Sequence, residues 1–135
     1  MSITTVFVYG TLKREQLRGG MWPRTPLAVR PATVQGGLYD MGQYPGLVDG
    51  NHRVLGEAWE FSPEVMPIVL RVLDEIEDYN QGGDDLYVRQ EVDVEFLDGG
   101  RCRAYTYFFN QPAQYKMLEP MAPEASGCVS WPCKK

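Results

Sequence analysis

The segment YVRQEVDVEFLDGGRCRAYTYFF, residues 87–109, decides the fold. Its first ten residues alternate between apolar and polar side chains, which is the period of a strand with one buried face. Asp98-Gly99-Gly100 is typical of a tight hairpin turn. The last nine residues return with strand-forming β-branched and aromatic side chains. The pattern predicts two antiparallel strands over residues 87–96 and 101–109.

One strong helix is predicted upstream of this hairpin. Ser62-Pro63-Glu64 has the features of a helix start, with an N-cap serine, a proline at the first helical position and an early acid. Apolar residues then recur at helical spacing at Val65, Ile68, Val69, Val72, Leu73 and Ile76. Pro67 is expected to bend the helix or delay its start. The pattern stops at Asp78-Tyr79-Asn80.

Three further strands are predicted before the helix, over residues 5–9, 34–40 and 54–61. Gly36-Gly37 weakens the second of them and suggests a bulge. The alternation of strands and helices is too sparse for a doubly wound parallel sheet. The residues therefore predict an α+β fold, in which a mixed, curled or closed β-sheet packs on one helix.

Length and composition bound the domain organisation. The 135 residues are 44% hydrophobic and 23% charged, which is typical of one globular domain. Residues 1–110 are expected to carry the main body. Residues 111–135 contain four prolines and no clean period. They predict an extended wrap or loose tail of the same domain.

Charge and hydropathy exclude several function classes. The net charge is −5, and no basic stripe is present, which argues against a nucleic-acid partner. The longest apolar run, residues 65–70, is interrupted by Pro67 and is far too short to span a bilayer. The N-terminal residues lack a basic region and a long apolar stretch, so no signal peptide is expected. These observations predict a cytoplasmic protein with no membrane partner.

The single histidine, His52, limits the chemistry available to the chain. A metal site that needs two imidazoles is excluded, and any Ser-His-Asp or Cys-His arrangement would have to use this one residue in a polar, turn-like stretch. The chain has three cysteines, Cys102, Cys128 and Cys133. This small, odd number argues against a disulfide framework. Carboxylates, tyrosines and backbone groups are left to do any chemistry.

One carboxylate is in an unusual position. On a helical wheel, Glu77 falls within the apolar sector, whereas Arg71, Asp74, Glu75 and Asp78 fall on the polar arc. Burial among apolar side chains and repulsion from Asp74 are both expected to raise the pKa of Glu77. A carboxyl of this kind can accept and return a proton. The alternatives are that the helix ends before Glu77, or that Glu77 pairs with an arginine or caps a strand.

A second candidate is Tyr9-Gly10-Thr11-Leu12, where the first strand ends at a glycine. Free backbone N–H groups in such a loop can hold an anion or an oxyanion. The alternative is an ordinary turn.

Four other side chains are candidate walls of a pocket. Tyr44 lies in a Tyr-Pro-Gly turn. Tyr87 and Arg89 share one face of their strand, and Tyr107 lies on the predicted partner strand. The alternative is a half-exposed sheet face, in which Arg89 pairs with one of the helix acids.

Several segments, in this order, resemble the gamma-glutamylcyclotransferase-like superfamily, which includes the gamma-glutamylamine cyclotransferases and avirulence-induced-gene-like proteins. The similarity covers roughly residues 5–110. The segments are VFVYGTLKR at 6–14, YDMGQYPGLV at 39–48, VLGEAWEF at 54–61, LDEIEDY at 73–79, YVRQEVDV at 87–94 and AYTYFFN at 104–110.

The resemblance implies a small mixed β-barrel with one or two flanking helices and a cofactor-free reaction on a small γ-glutamyl substrate. The α-amine of a γ-glutamyl group attacks its own γ-carbonyl, which releases 5-oxoproline and an amine or amino acid. The family's acid/base maps onto Glu77, and its glutamyl-binding loop maps onto Tyr9, Gly10, Thr11 and Leu12. The sequence departs from the family pattern at Glu15 and Asp78, where glycine is common.

Two other functions fit the same residues. One is an enzyme with the same chemistry that removes a γ-glutamyl protecting group in a particular pathway. The other is a non-enzymatic binding module that keeps the barrel and its pocket, although such a module has no chemical need for Glu77.

Overall fold

The computed structural model describes residues 3–10, 12–13, 20–41, 44–77, 79, 87–110, 118–124 and 127–131. Within these ranges the elements are, in chain order, β1 (Thr5–Val8), β2 (Ala28–Asp40), β3 (Pro45–Glu60), α1 (Met66–Ile76), β4 (Tyr87–Phe96), β5 (Arg101–Phe109) and β6 (Cys128–Val129). Strands β4 and β5 have the predicted bounds.

Five strands close into a barrel in the order β1-β5-β4-β2-β3, and β3 pairs again with β1. β1 runs parallel to β5, and the other neighbours in the ring are antiparallel. β6 pairs in parallel with Arg53 and Val54 of β3, so the chain after residue 110 contributes to the sheet. The closed mixed barrel with its helix confirms the α+β prediction.

Strands β2 and β3 are longer than predicted and pair along almost their whole length. Their register shifts between Gly36 and Gly37, which confirms the bulge expected there. Bulges bend a strand and increase its twist, which helps a small sheet to close. Closure also needs Gly56, because a Cβ on this residue would lie 2.3 Å from the Val8 carbonyl oxygen.

Alternation along β1 divides the buried residues between two clusters. Phe7 points into the barrel, where it packs with Leu38, Leu47, Val54 and other apolar residues. Val6 and Val8 point outward and pack with one face of α1, on a cluster that includes Trp59, Phe61, Val69 and Leu73. Successive side chains of a strand face opposite sides, so one short strand serves both clusters. The second cluster fixes the helix against the end of β1.

The helix begins later than predicted. Residues 63–65 form a turn, and α1 starts at Met66, with Pro67 in its first turn where a missing N–H is tolerated. The expected delay at Pro67 is therefore found. The helix ends at Ile76 and Glu77 is its C-cap residue. Neither α1 nor any other described segment forms a helix long and apolar enough to cross a membrane.

Candidate active site

A cavity of about 90 Å³ opens between the end of β1, the start of β3 and the C-terminal end of α1. Its described lining is formed by Phe7, Val8, Tyr9, Gly10, Leu12, Tyr44, Pro45, Ile76, Glu77, Tyr87 and Tyr107.

Most of the residues singled out from the sequence meet at this cavity. Seven line it, namely Tyr9, Gly10, Leu12, Tyr44, Glu77, Tyr87 and Tyr107. Arg89 is not among the described lining residues, and its position is given below. Thr11, Glu15, Asp78 and Cys133 lie outside the residues that the structure describes.

Glu77 is the one charged side chain among the described lining residues. Its backbone N–H donates to the Leu73 carbonyl oxygen at 2.9 Å, so it keeps the helical register although regular helix ends at Ile76. The predicted alternative, in which the helix ends before Glu77, is therefore confirmed for the regular helix. The side chain nevertheless faces the cavity and is half-buried.

Tyr9 forms part of the wall, and its hydroxyl is committed to the fold. The hydroxyl donates to the Tyr107 carbonyl oxygen at 2.5 Å and accepts from the Leu47 N–H at 3.3 Å. Burial raises the pKa of Tyr9 well above its usual range, and the nearby Tyr87 and Glu77 raise it further. Tyr9 is therefore a neutral, fixed wall.

The loop after Tyr9 is closed by a turn, in which the Lys13 N–H donates to the Gly10 carbonyl oxygen at 3.0 Å. The Leu12 carbonyl oxygen accepts from the Trp22 indole N–H at 3.0 Å. Gly10 lies against Pro45 so closely that an added Cβ would be 2.5 Å from the proline Cγ. Glycine at this position is therefore required by space.

Pro45 is held in turn by Tyr87. The Tyr87 hydroxyl donates to the Pro45 carbonyl oxygen at 2.6 Å. β4 thus fixes the segment on which Gly10 rests. Because both Tyr9 and Tyr87 use their hydroxyl hydrogens inside the protein, the wall of the cavity is rigid on this side.

Arg89 lies outside the described lining of the cavity and forms an ion pair with Asp74. Its Nη1 is 2.9 Å from Oδ1 and 2.7 Å from Oδ2 of Asp74, and the two side chains are only 22% and 18% exposed. Asp74 also accepts from the Tyr107 hydroxyl at 2.6 Å. Burial and the adjacent Asp74 raise the pKa of Tyr107.

This network changes two expectations. Asp74 does not lie on a solvent-exposed arc of α1 but faces β4 and β5. The Arg89 guanidinium also offsets the charge of Asp74, so the predicted repulsion of Glu77 by Asp74 is weakened. The predicted alternative, in which Arg89 pairs with a helix acid, is confirmed, and the acid is Asp74.

Tyr44 differs from the other three cavity tyrosines. Its ring makes an edge-type contact with Tyr87 and a tilted contact with Phe109, at centroid distances of 6.3 and 6.4 Å. Within the described part of the chain, its hydroxyl makes no hydrogen bond to the protein. It is half-buried and lines the cavity, so this hydroxyl is available to a bound molecule.

Sequence reasoning missed the apolar part of the lining, which consists of Phe7, Val8, Pro45 and Ile76. Each of these residues is within two positions of a predicted site residue. The signal was therefore their adjacency to Tyr9, Tyr44 and Glu77, because a chain that brings one residue to a cavity brings its neighbours as well.

Comparisons with known proteins identify the family of the chain. Residues 6–127 match the family model described as "Gamma-glutamyl cyclotransferase, AIG2-like". A curated relative from Niallia circulans is 37% identical over 109 residues, which cover 78% of this chain and 67% of the relative. That relative is named gamma-L-glutamyl-butirosin B gamma-glutamyl cyclotransferase.

Two solved structures share the fold. A mouse AIG2-like protein has a TM-score of 0.68 and 23% identity, and the match covers 100% of this chain and 99% of the mouse chain. YkqA from Bacillus subtilis has a TM-score of 0.60 and 26% identity, over 81% of this chain and 36% of YkqA, so this chain spans about a third of that protein. From the family match and the curated relative, the chain belongs to the gamma-glutamyl cyclotransferase, AIG2-like family, as its ordered motifs predict.

Proposed function

We propose that Glu77 is the acid/base of a γ-glutamyl cyclotransferase reaction in this cavity, and that the loop from Tyr9 to Leu12 holds the glutamyl group. The observation that carries the proposal is the position of Glu77, the one charged group among the described lining residues, in the same cavity as Tyr9, Gly10 and Leu12. Membership of the family supplies the reaction type.

The proposed reaction balances without a second substrate. Ionised Glu77 takes one proton from the substrate's α-ammonium group. The freed amine attacks the γ-carbonyl carbon, and a five-membered ring forms with a negatively charged oxygen on the former carbonyl. When this intermediate collapses, the bond to the leaving nitrogen breaks, and neutral Glu77 returns its proton to that nitrogen. Glu77, ionised again, takes the second proton from the ring nitrogen and passes it to the released amine, which leaves as an ammonium ion. The products are 5-oxoproline and a free amine.

The remaining residues position the substrate. Backbone N–H groups of the loop at residues 10–12 hold the substrate carboxylate or the developing oxyanion. Tyr9 and Tyr87 keep the wall rigid, and the attacking and attacked atoms belong to one molecule. Intramolecular attack in a fixed geometry lowers the barrier by avoiding the entropy cost of bringing two reactants together.

The experiment is incubation of the purified chain with a panel of γ-glutamyl compounds, with 5-oxoproline as the readout. The panel contains γ-glutamyl alkylamines, γ-glutamyl amino acids and γ-glutamyl peptides. Product from at least one member is expected. A folded protein that forms no 5-oxoproline from any member, while still binding one of them, would instead be the binding module considered above.

A second candidate is a pathway-specific enzyme that removes a γ-glutamyl protecting group. The observation that favours it is the name of the 37% identical relative, which acts on gamma-L-glutamyl-butirosin B. Addition of gamma-L-glutamyl-butirosin B to the panel separates the two candidates. A kcat/KM for that compound at least tenfold above those of the simple amines would support the specialised role.

A further inference from the structure

The segment after residue 117 contacts the proposed glutamyl-binding loop through Trp131. The Lys13 ammonium group donates a hydrogen bond to the Trp131 carbonyl oxygen, across 118 positions of sequence. The Trp131 ring lies beside Gly10, since a Cβ on Gly10 would be 4.0 Å from Cε3 of the indole. Pro45 and Trp131 thus both lie next to the loop at Gly10.

Trp131 is itself firmly held. It is 8% exposed and packs with the residues inside the barrel. Its indole N–H donates to Oδ1 of Asp40, at the end of β2, at 3.1 Å. The preceding strand β6 is paired with β3, and Val129 is fully buried. Because these contacts hold Trp131 in place, Trp131 can in turn hold the neighbouring loop in place.

Trp131 is not among the described residues that line the cavity. It therefore reaches a bound substrate only through the loop. Glu77 is on a different element, at the end of α1, where its backbone N–H donates to the Leu73 carbonyl oxygen.

We propose that Trp131 is a positioning residue for the loop from Tyr9 to Lys13, and that the C-terminal segment sets substrate affinity through it. This inference rests on the proposed function, since the loop matters to affinity only if it holds the glutamyl group. The hydrogen bond from Lys13 to the Trp131 carbonyl oxygen fixes the loop, and the indole ring limits the space beside Gly10.

The first test compares Trp131→Ala with Trp131→Phe. Loss of the ring in Trp131→Ala is expected to raise KM about tenfold and to change kcat less than about threefold, since displacement of a binding loop weakens substrate binding more than it affects a separate acid/base. Trp131→Phe keeps a ring beside Gly10 and should restore most of the affinity.

The matched control is Val94→Ala, which removes side-chain volume from the same interior cluster at a fully buried position of β4. It is expected to lower Tm and leave KM unchanged. If Trp131→Ala lowers Tm and also leaves KM unchanged, Trp131 has only a structural role and the inference is wrong.

Amide hydrogen exchange of residues 9–13 gives a readout that does not depend on turnover. Trp131→Ala should speed exchange in this peptide, and Val94→Ala should not. Equal protection in both variants contradicts the inference even if the proposed function is correct. Absence of product from the wild type contradicts the proposed function while leaving this measurement valid.

Lys13→Met serves if Trp131→Ala does not fold. It removes the ammonium group that holds the Trp131 carbonyl oxygen and leaves the interior of the barrel intact. KM and exchange of the loop should both rise, with recovery in Lys13→Arg. A Lys13→Met enzyme with wild-type KM and wild-type exchange overturns the proposal.

Discussion

The Tyr107 hydroxyl donates a hydrogen bond to Oδ1 of Asp74 at 2.6 Å, which joins β5 to the helix that ends just before Glu77. Arg89 of β4 binds both oxygens of the same carboxylate. One helix acid thus ties α1 to two strands of the barrel. The tie lies one turn before the proposed acid/base and fixes the end of the helix from which Glu77 projects.

Asp74→Asn should therefore lower stability. The change removes the charge partner of Arg89 in a pair that is about one-fifth exposed, which is expected to cost about 2 kcal/mol of unfolding free energy after allowance for solvent screening. Asp98→Asn is the matched control, because Asp98 pairs with Arg30 at 74% and 43% side-chain exposure. The control should cost less than about 0.5 kcal/mol. Urea unfolding measures both, and equal losses would show that the Asp74 pair adds no special support.

Glu77→Gln should abolish turnover and preserve the fold. The amide cannot accept the ammonium proton, so 5-oxoproline formation is expected to fall by at least about a hundredfold. Tm should change by less than about 2 °C, because the half-buried side chain faces a cavity. Glu75→Gln, an exposed acid on the same helix, is the control and should keep full activity. Substantial turnover in Glu77→Gln would refute the assignment of the acid/base.

Gly10→Ala tests the close contact in the loop. The new methyl group would lie 2.5 Å from Cγ of Pro45, so the loop or the proline must move. An overpacked contact costs about 1–3 kcal/mol, and a displaced loop should raise KM about tenfold. Gly20→Ala is the control, since nothing lies within 4 Å of its added Cβ. Steady-state kinetics and thermal unfolding measure both effects; a wild-type KM for Gly10→Ala would argue against the loop as the glutamyl site.

Stability should fall at alkaline pH because of Tyr9 and Tyr107. Burial raises the pKa of both in the folded protein, while in the unfolded chain each ionises at about 10. Above that pH the unfolded state loses protons that the folded state keeps, so each tyrosine removes up to about 1.4 kcal/mol of stability per pH unit. The loss begins near pH 10 and continues until the raised folded pKa is passed. Urea unfolding from pH 8 to 11.5 measures the slope, which should be shallower in Tyr107→Phe; an unchanged slope in that variant would contradict the argument.

Tyr44→Phe should alter catalysis without altering stability. The hydroxyl has no partner within the described part of the protein, so its removal leaves the fold intact, with Tm within about 2 °C. A severalfold change in kcat/KM is expected if the hydroxyl contacts the substrate. Tyr87→Phe is the comparison, because it loses the bond to Pro45 and should lower Tm. Kinetics identical to the wild type in Tyr44→Phe would remove this residue from the substrate site.

The hairpin of β4 and β5 was fully predictable, because regular alternation and the Asp98-Gly99-Gly100 turn are local signals. The extra length of β2 and β3 was not predictable in this way. Residues 28–33 and 45–53 contain prolines, glycines and polar residues with weak strand propensity, and they become strands through pairing with each other. β6 was missed for the same reason, since two residues in a proline-rich tail carry no period of their own.

The candidate site was likewise predictable only where the signal is local in the sequence. Glu77 and the loop at Tyr9 and Gly10 were predictable from helical spacing and from a strand that ends at glycine. The role of Asp74 was not, because a helical wheel does not show which polar residues a neighbouring strand will bind. Trp131 was beyond sequence reasoning altogether, since its contact with the loop depends on how the barrel closes.

The hydrogen bond from Lys13 to Trp131 also bears on the order in which the protein folds. The loop belongs to the first thirteen residues, whereas its last support is made 118 positions later. Contacts between distant residues require large loops to close, so they form late and slow the overall reaction. During synthesis, a chain released up to β5 can begin to close its barrel, but the loop that we propose for binding lacks the acceptor of the Lys13 hydrogen bond until Trp131 has emerged. On the proposed role of the loop, competence to bind substrate is therefore acquired after the strands of the barrel, once Trp131 is in place.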